Sequence, residues 1–428
     1  MTLTMPLPAP SNISTDATAE TTAYDPINVK ADFPIFNQSV HGKPLIYLDN
    51  GATTHKPQAV IDRISQFYAN EYGTVRRGVY ALSEGATDAF NGVREQCKLF
   101  LNAPSTDDIL FVRGSTEAIN LVAHSYGLPH VGKDDEIIIS AMEHHANIVP
   151  WQQLCLRNEA KLRVIPINEE GVLDVEHFKT MLNKRTKLVA VTHVSNSLGT
   201  INPVQQITQM AHDNGTPVLI DGAQGAPHMA VDVQEIGCDF YCFSGHKIYG
   251  PTGVGVLYAK RQWQDQMIPY QCGGDMIDMV TFERTTFATP PNKFEAGTPA
   301  IAQVVGLGAA LKYIQTLGIE AIAQHEDHLL QTATQQMTEH IDGLTIIGTA
   351  PQKASLISFV IEGAHPLDMG TLLDREGVAI RTGHHCAQPV MQHFNVPATA
   401  RASFGIYNTT EDIEAFITSL NKVLNLIR

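Results

Sequence analysis

The sequence predicts an α/β protein in which a mostly parallel sheet forms a large, helix-covered domain and a smaller α+β domain follows it. From about residue 45 to about residue 260, short β-rich runs alternate with amphipathic stretches. Such alternation is typical of a parallel sheet covered by helices. After residue 290, long helical stretches precede two strand runs and a final amphipathic helix. A chain of 428 residues is long enough to bury a core in each of these domains.

The individual runs support this order of elements. The strand runs before residue 260 are DDILFV, DEIIISA, KLRVIPI, KLVAVTHV, TPVLIDG, DFYCFSG and GVGVLYA. Between them, TEAINLVAHSYG and VQQITQMAHDNG predict helices. The second lies between Pro203 and Gly215, and proline favours the start of a helix and glycine its end.

The region after residue 290 has a different composition of elements. Its helix runs are AIAQVVGLGAALKYIQTLG, AIAQHEDHLLQTATQQMTEHI and EDIEAFITSLNKVLNLI, and its strand runs are ASLISFVI and GVAIRTG. We therefore expect a disordered tail over residues 1–25, a large domain over residues 26–300 and a small domain over residues 301–428.

The composition argues against several classes of protein. The formal net charge is −15, whereas a nucleic-acid surface needs clustered Lys and Arg, so we expect no nucleic-acid partner. No apolar run reaches the roughly 18 residues of a membrane span, so we expect no membrane partner. The first 23 residues contain no Lys or Arg, which argues against a secretory signal and a transit peptide. Their Pro, Ser, Thr and Ala content is typical of a disordered extension.

The chain has six cysteines: Cys97, Cys155, Cys238, Cys242, Cys272 and Cys386. They include no CxxC pair, so we expect neither a structural zinc site nor a disulfide framework in a chain of this length. Free thiols favour a reducing compartment, and the cytoplasm is the predicted location.

Two charged residues follow strand runs where ligands bind to α/β sheets. Asp221 lies at the end of the run in TPVLIDG, and Lys247 comes shortly after DFYCFSG. Ligands of such sheets bind beyond the carboxyl ends of the strands. Each residue alone also fits an ordinary strand end. Together they favour pyridoxal phosphate, which needs a lysine for its Schiff base and a carboxylate at its pyridinium nitrogen.

A phosphate site is indicated by RGSTEAINLV. Ser115 and Thr116 precede a helix, where free N–H groups and the helix dipole favour an anion. An ordinary N-cap without a ligand explains the motif equally well. Ser244 and His246 stand beside Lys247 in SGHK and are candidates to reach the same phosphate.

Further polar residues follow neighbouring strand runs. His144 in AMEHHANIVPW is a candidate to stack on a pyridine ring, although a metal pair or a buried, satisfied histidine remains open. His144 and His145 chelate a metal poorly, because adjacent side chains on extended backbone point apart. Asn196 and Gln224 follow two other strand runs, in reach of the same crevice.

Cys386 in RTGHHCAQP is open to three interpretations: a metal ligand, a packing residue or a nucleophile. The metal interpretation lacks a fourth ligand at zinc spacing. The packing interpretation conflicts with Gly383 and Pro389, which favour an exposed turn. Neighbouring histidines favour the thiolate, which is the nucleophilic form of cysteine.

Several of these motifs resemble one enzyme family. Asp221-Gly-Ala-Gln224 and SGHK resemble the fold-type I pyridoxal phosphate enzymes. MEHHANIVPWQ, FEAGTP, RTGHHCAQP and RASFGIYNT narrow the resemblance to cysteine desulfurases, and RTGHHCA is similar to their group II, SUF-type branch. The resemblance extends from about residue 30 to the end and implies the fold-type I architecture.

The resemblance implies a role for each site residue. Lys247 would hold the cofactor covalently and Cys386 would receive sulfur as a persulfide. The other cofactor contacts would come from Ser115, Thr116, His144, Asn196, Asp221, Gln224, Ser244 and His246. Thr298 in FEAGTP would reach the phosphate of the other subunit, which implies a homodimer.

The substrate side of the site is implied in the same way. Arg401 would pair with the substrate carboxylate, because a guanidinium fork matches its geometry. Asn196 and Arg77 would line the same pocket, and a surface ion pair is the alternative for Arg77. Cys272 in YQCGGDM departs from the glycine-rich turn of the family. It is either a silent substitution or a second thiol near the site.

The implied reaction converts L-cysteine to L-alanine, with a persulfide formed on Cys386, for iron–sulfur cluster assembly. A SUF-type protein would accept the sulfur. Two alternatives remain open. A selenocysteine lyase would use the same residues. A non-catalytic persulfide carrier would need Cys386 but neither Lys247 nor a cofactor.

Overall fold

A computed structural model describes residues 24–428, so the predicted tail lies outside the described residues apart from its last two positions. The strands of the described chain are β1 (Ser39–Val40), β2 (Lys43–Pro44), β3 (Ile46–Tyr47), β4 (Ile109–Val112), β5 (Glu136–Ser140), β6 (Lys161–Ile165), β7 (Thr186–Thr192), β8 (Val218–Asp221), β9 (Phe240–Ser244), β10 (Gly255–Ala259), β11 (Ile277–Val280), β12 (Thr285–Phe287), β13 (Leu344–Ile347), β14 (Leu356–Ile361), β15 (Val378–Ala379), β16 (Arg381–Gly383) and β17 (Thr399–Ser403).

The α-helices of the described chain vary from single turns to a 22-residue helix. They are α1 (Pro26–Ala31), α2 (Gln58–Gln66), α3 (Ala81–Phe100), α4 (Ser115–Val122), α5 (Leu128–His130), α6 (Val149–Asn158), α7 (Val175–Met181), α8 (Val204–Asp213), α9 (Gly225–His228), α10 (Val233–Ile236), α11 (Arg261–Gln266), α12 (Ile301–Leu317), α13 (Ile319–His340), α14 (Pro366–Arg375), α15 (Gln388–His393) and α16 (Thr410–Ile427). Within residues 24–428, no helix combines the length and apolar composition needed to cross a membrane.

Seven strands form the central sheet, in the order β4-β10-β9-β8-β7-β5-β6. β9, β8, β7, β5 and β6 run parallel, whereas β10 is antiparallel to its neighbours β4 and β9. Each strand run predicted before residue 260 is part of this sheet. The mostly parallel, helix-covered architecture is therefore confirmed.

The central sheet is buried on both faces. Every position of β8, β9 and β10 is buried. Along β9, Tyr241 and Phe243 belong to one apolar cluster, and Phe240 and Cys242 to another. Because successive side chains of a strand point to opposite faces, these clusters are the cores on the two sides of the sheet. This explains why the strand runs are continuously apolar rather than alternating.

The C-terminal sheet is antiparallel, in the order β13-β14-β17-β16. The run ASLISFVI contains β14, as predicted. The run GVAIRTG divides at Ile380: β15 pairs in parallel with β3, and β16 pairs with β17. β17 has the sequence TARAS and is buried at all of its positions. Its small and polar residues lack the apolar pattern that predicts a strand.

Two segments pack across the predicted domain limits. β3 pairs with β15, and the adjacent Leu48 lies in the apolar core of the C-terminal sheet. α12, at the start of the predicted small domain, packs on α2 and α3. A Cβ at Gly308 in α12 would lie 2.6 Å from Cγ2 of Val93, so this glycine allows the close approach of α3. The predicted large and small domains are thus packed together through β3 and through α12.

Glu295 is a buried carboxylate that holds the FEAGTP segment to α3 and β4. It accepts hydrogen bonds from both terminal nitrogens of Arg94, at 2.8 and 2.9 Å, and from the amide of Phe111 at 2.9 Å. Arg76 pairs with the same carboxylate. Burial alone would raise the pKa of Glu295, but the charges and hydrogen bonds of the two arginines outweigh it and lower this pKa.

We expect Glu295→Gln to destabilise the fold by about 3–5 kcal/mol, because it leaves Arg94 buried without a counter-charge. Urea denaturation measures this change. The control is Glu159→Gln, which removes an exposed pair with Lys133 and should cost less than about 1 kcal/mol. Equal losses in the two variants would contradict the prediction.

The same variant should show a defined pH dependence. The pKa of Glu295 is lowered by folding, so its contribution is present above the ordinary value of 4.5 and is lost as the pH falls through the folded value. The stabilities of the wild type and Glu295→Gln should therefore converge in acid and separate at neutral pH.

Candidate functional site

A cavity of about 300 Å³ lies where the carboxyl ends of β7, β8 and β9 meet the start of α4 and the loop after β16. Strand ends of a parallel sheet are where this architecture binds ligands. The cavity brings together all of the predicted site residues except two: it is lined by Ser115, Thr116, His144, Asn196, Asp221, Gln224, Ser244, His246, Lys247, Cys386 and Arg401.

Asp221 and Lys247 are groups of opposite charge at the ends of two adjacent strands. Asp221 ends β8, is 4% exposed and accepts a hydrogen bond from the amide of Ala223 at 3.0 Å. Lys247 lies in the 3-10 turn that follows β9. Burial lowers the pKa of Lys247 to about 8, with Asp221 opposing the shift and Arg401 adding to it. A fraction of this amine is therefore neutral near pH 7 and can act as a nucleophile or a base.

The start of α4 and the end of β9 form a polar corner of the cavity. The amide of Ser115 donates to Oγ of Ser244 at 2.9 Å, and the two hydroxyls are 3.0 Å apart. A Cβ at Gly255 in β10 would lie 2.5 Å from Cα of Gly114, so glycine allows this close approach. Thr116 is in the first turn of α4, whose amides lack intrahelical acceptors. This corner suits an anion such as a phosphate group.

His144 offers an uncharged ring to the cavity. Its Nδ1 accepts a hydrogen bond from the amide of Ala146 at 3.0 Å. Burial lowers its pKa to about 4, and the charge of Lys247 adds to this shift. A neutral ring whose Nδ1 is an acceptor carries its proton on Nε2. Such a ring suits stacking on a planar heterocycle.

Arg401 is a buried cation on the small-domain side of the cavity. It is 2% exposed, its Nη1 donates to the carbonyl of Asn196 at 2.7 Å, and its Nη2 donates to Asp49 at 3.2 Å. Its Nε is buried and has no acceptor among the described residues. A guanidinium group with an unpaired N–H fits a ligand carboxylate.

Cys386 lies on the loop between β16 and α15 and is exposed. Asn196 Nδ2 donates to the carbonyl of the preceding residue, His385, at 2.6 Å. The cysteines Cys97, Cys155, Cys238 and Cys242 are buried, which leaves Cys386 and Cys272 as the exposed thiols of the described chain. Cys386 is the one of these two that lines the cavity.

Two predicted residues lie outside the cavity of their own chain. Arg77 pairs with Asp275 at 3.0 Å and its side chain is 60% exposed, which is the surface ion pair given as its alternative. Thr298 is exposed and does not line the cavity. Its expected partner is the second subunit, so its role remains a prediction.

The cavity also contains residues that the sequence patterns did not indicate. Arg381 lines it and pairs with Asp49 at 3.4 Å, and Asp49 thereby contacts two arginines. The carbonyl of Gly51 accepts a hydrogen bond from Gln224 Nε2 at 2.6 Å. Two features of the sequence indicate these residues. One is the polar segment DNGATT after a short strand, and the other is the arginine that precedes the histidines of the Cys386 loop.

The residues present fit pyridoxal phosphate. This cofactor requires an amine, a carboxylate and a site for its phosphate. Lys247 with its lowered pKa, buried Asp221 and the polar corner at Ser115 and Ser244 meet these requirements. The model of the class-V aminotransferases matches residues 46–416 of the chain. The chain belongs to the class-V aminotransferase family. Members of this family depend on pyridoxal phosphate.

The chain is also similar to known cysteine desulfurases. It is 50% identical over 400 residues to a cysteine desulfurase of Synechococcus elongatus, covering 94% of this chain and 64% of that protein. It is 49% identical over 401 residues to a cysteine desulfurase of Escherichia coli, covering 93% and 98% of the two chains. The crystal structure of the E. coli cysteine desulfurase CsdA superposes with a TM-score of 0.88 at 38% identity, covering 95% and 100%.

These likenesses confirm the predicted resemblance to cysteine desulfurases and the fold-type I architecture. The chain spans slightly less than two thirds of the Synechococcus protein and almost the whole E. coli protein.

The lowered pKa of Lys247 predicts how this amine reacts in the cofactor-free protein. Because the neutral amine is the nucleophile, its reductive methylation should rise with pH and level off above about pH 8. Mass spectrometry of the Lys247 peptide follows the reaction. Asp221→Asn should move the Lys247 midpoint to lower pH, since the opposing negative charge is gone. A Lys247 midpoint at the ordinary lysine value of 10.5 would contradict the prediction.

Proposed function

We propose that this member of the class-V aminotransferase family is a cysteine desulfurase that transfers the sulfur of L-cysteine to Cys386 and releases L-alanine. The observation that carries this proposal is the presence, in one cavity, of Lys247, Arg401 and Cys386. An aminotransferase would need the first two but no thiol. The names and identities of the relatives support the proposal.

Pyridoxal phosphate, when bound, withdraws electrons from the α-carbon of the amino acid attached to it. Lys247 would hold the cofactor covalently, and Asp221 would keep its ring nitrogen protonated. His144 would stack on the ring. The other contacts would come from Asn196 and Gln224 on the hydroxyl side and from Ser115, Thr116, Ser244 and His246 at the phosphate.

Arg401 would bind the carboxylate of the substrate. Its Nε is free to donate, and its Nη2 bond to Asp49 is 3.2 Å long, so a ligand carboxylate can compete for the same fork. Arg381 adds a second positive charge to the same side of the cavity. Asn196 connects Arg401 with the Cys386 loop. Its backbone carbonyl accepts from Arg401, and its side-chain Nδ2 donates to the carbonyl of His385 in that loop.

Lys247 and Cys386 would have different roles in breaking the carbon–sulfur bond. Lys247, once the substrate amine has replaced it, is a free amine that takes the α-proton, which its lowered pKa favours. The Cys386 thiolate attacks the substrate sulfur, so a sulfur–sulfur bond forms as the carbon–sulfur bond breaks. Protons return to the carbon skeleton, and the balance is cysteine plus thiol to alanine plus persulfide.

The wider assignment belongs to the same proposal. The persulfide would pass to a SUF-type acceptor protein for iron–sulfur cluster assembly, and the exposure of Cys386 supports such a transfer. The active unit would be a homodimer. The cytoplasm is the proposed location, because a nucleophilic thiol must remain reduced between turnovers.

Cys386→Ser tests the function directly. Serine is nearly isosteric but is a poor nucleophile toward sulfur. We expect unchanged cofactor content and an unchanged spectral response to added cysteine, with alanine and sulfide release reduced by about 100-fold or more. The comparison variant Lys247→Ala should instead lose the cofactor adduct that borohydride fixes. Wild-type alanine release by Cys386→Ser would contradict the proposal, and Cys272 would be replaced next.

The homodimer is tested by sedimentation and by Thr298→Val. Sedimentation should give twice the chain mass of 46.8 kDa. Removing the hydroxyl should weaken pyridoxal phosphate binding by about tenfold, the usual effect of one hydrogen bond to a charged group. Thr418→Val, which removes a hydroxyl from the surface of α16, is the control and should leave binding unchanged. A fully active species of 46.8 kDa would contradict the prediction.

A further inference from the structure

His145 has no part in the chemistry proposed above, yet it makes two hydrogen bonds to the Cys386 loop. Its backbone N–H donates to the carbonyl of Cys386 at 2.7 Å. Its side-chain Nε2 accepts from the backbone N–H of Gln388 at 3.1 Å. We propose that His145 is a positioning residue that fixes the loop so that the Cys386 thiol faces the substrate sulfur. This inference rests on the proposed function.

The loop needs such an anchor because of its backbone conformation. His385 and Cys386 are consecutive non-glycine residues with φ of +52° and +55°. L-residues adopt this left-handed region at a cost, so they remain there only when their surroundings hold them. The carbonyl of His385 is held by Asn196, and that of Cys386 by His145. The bond from Gln388 to the imidazole is the link on the far side of the cysteine.

The segment that carries His145 is itself fixed in the large domain. Buried Glu143 accepts from Ser140 Oγ at 2.5 Å, from Asn147 Nδ2 at 2.6 Å and from the amide of Thr192 at 2.9 Å. Asn147 in turn accepts from the indole N–H of Trp151 at 2.8 Å. These bonds tie the turn around His145 to the ends of β5 and β7. The backbone at His145 is therefore held in place, and its imidazole extends from this turn to the amide of Gln388.

The imidazole can accept from Gln388 because it is neutral. Burial lowers the pKa of His145, and the neighbouring His384 adds to the shift. With Nε2 as acceptor, the ring proton lies on Nδ1. Replacing the ring by an apolar side chain removes the acceptor, whereas a glutamine retains a carbonyl that can take its place.

The test compares His145→Leu and His145→Gln with the wild type, each loaded with cofactor. We expect His145→Leu to lower kcat for alanine release by about tenfold with KM and cofactor content unchanged, since small misplacements of a reacting group cost this much or more. His145→Gln should restore kcat to within about threefold. Hydrogen exchange of the Gln388 amide should be faster in His145→Leu and near normal in His145→Gln.

His365→Leu is the matched control, because His365 Nδ1 accepts from the amide of Leu367 at 3.2 Å in the first turn of α14. It should leave kcat and exchange at Gln388 unchanged. An unchanged kcat in His145→Leu, or an equal loss in both His145 variants, would overturn the inference. If the wild type forms no persulfide, the proposed function fails. In that case, hydrogen exchange of the Gln388 amide still tests whether His145 positions the loop. Normal exchange in His145→Leu would show that it does not.

Discussion

Asp221 ends β8, and Lys247 lies three residues beyond the end of β9, its parallel neighbour. Because paired parallel strands end at the same edge of a sheet, this pairing brings a carboxylate and an amine together in a buried site. Burial penalises both charges, which raises the pKa of Asp221 and lowers that of Lys247. Each charge opposes the shift of the other, and the remaining features of the site are arranged around this pair.

The C-terminal sheet contributes residues to the same cavity as the central sheet. Arg401 lies on β17 and Cys386 on the loop after β16, yet both face the strand ends of the large domain. The two domains are joined close to the site: Ser358 Oγ donates to the carbonyl of Ser197 at 2.5 Å, and Asn50 Nδ2 donates to that of Ser403 at 2.8 Å. Buried hydrogen bonds are costly to break, so these links hold the C-terminal sheet against the part of the chain that carries the strand ends.

The sequence was most informative for polar site residues that directly follow an apolar strand. Asp221 and Lys247 could be placed at strand ends because buried parallel strands are continuously apolar and end abruptly in polar residues. Asp49 and Arg381 were missed because their significance is their mutual contact, which joins segments more than 300 residues apart. β17 was missed because TARAS is buried by its neighbours in the sheet and not by its own apolarity.

The proposed function explains why Cys386 and Lys247 lie on separate elements of the fold. On that proposal, a sulfur that a second protein collects has to be exposed, whereas the amine that takes the α-proton has to be buried for its pKa to fall. One buried strand end cannot meet both requirements. A loop from another domain meets them, provided that its backbone is held while its side chain is free. In this chain, the backbone at Cys386 is left-handed, and the carbonyls of His385 and Cys386 both accept hydrogen bonds that hold it.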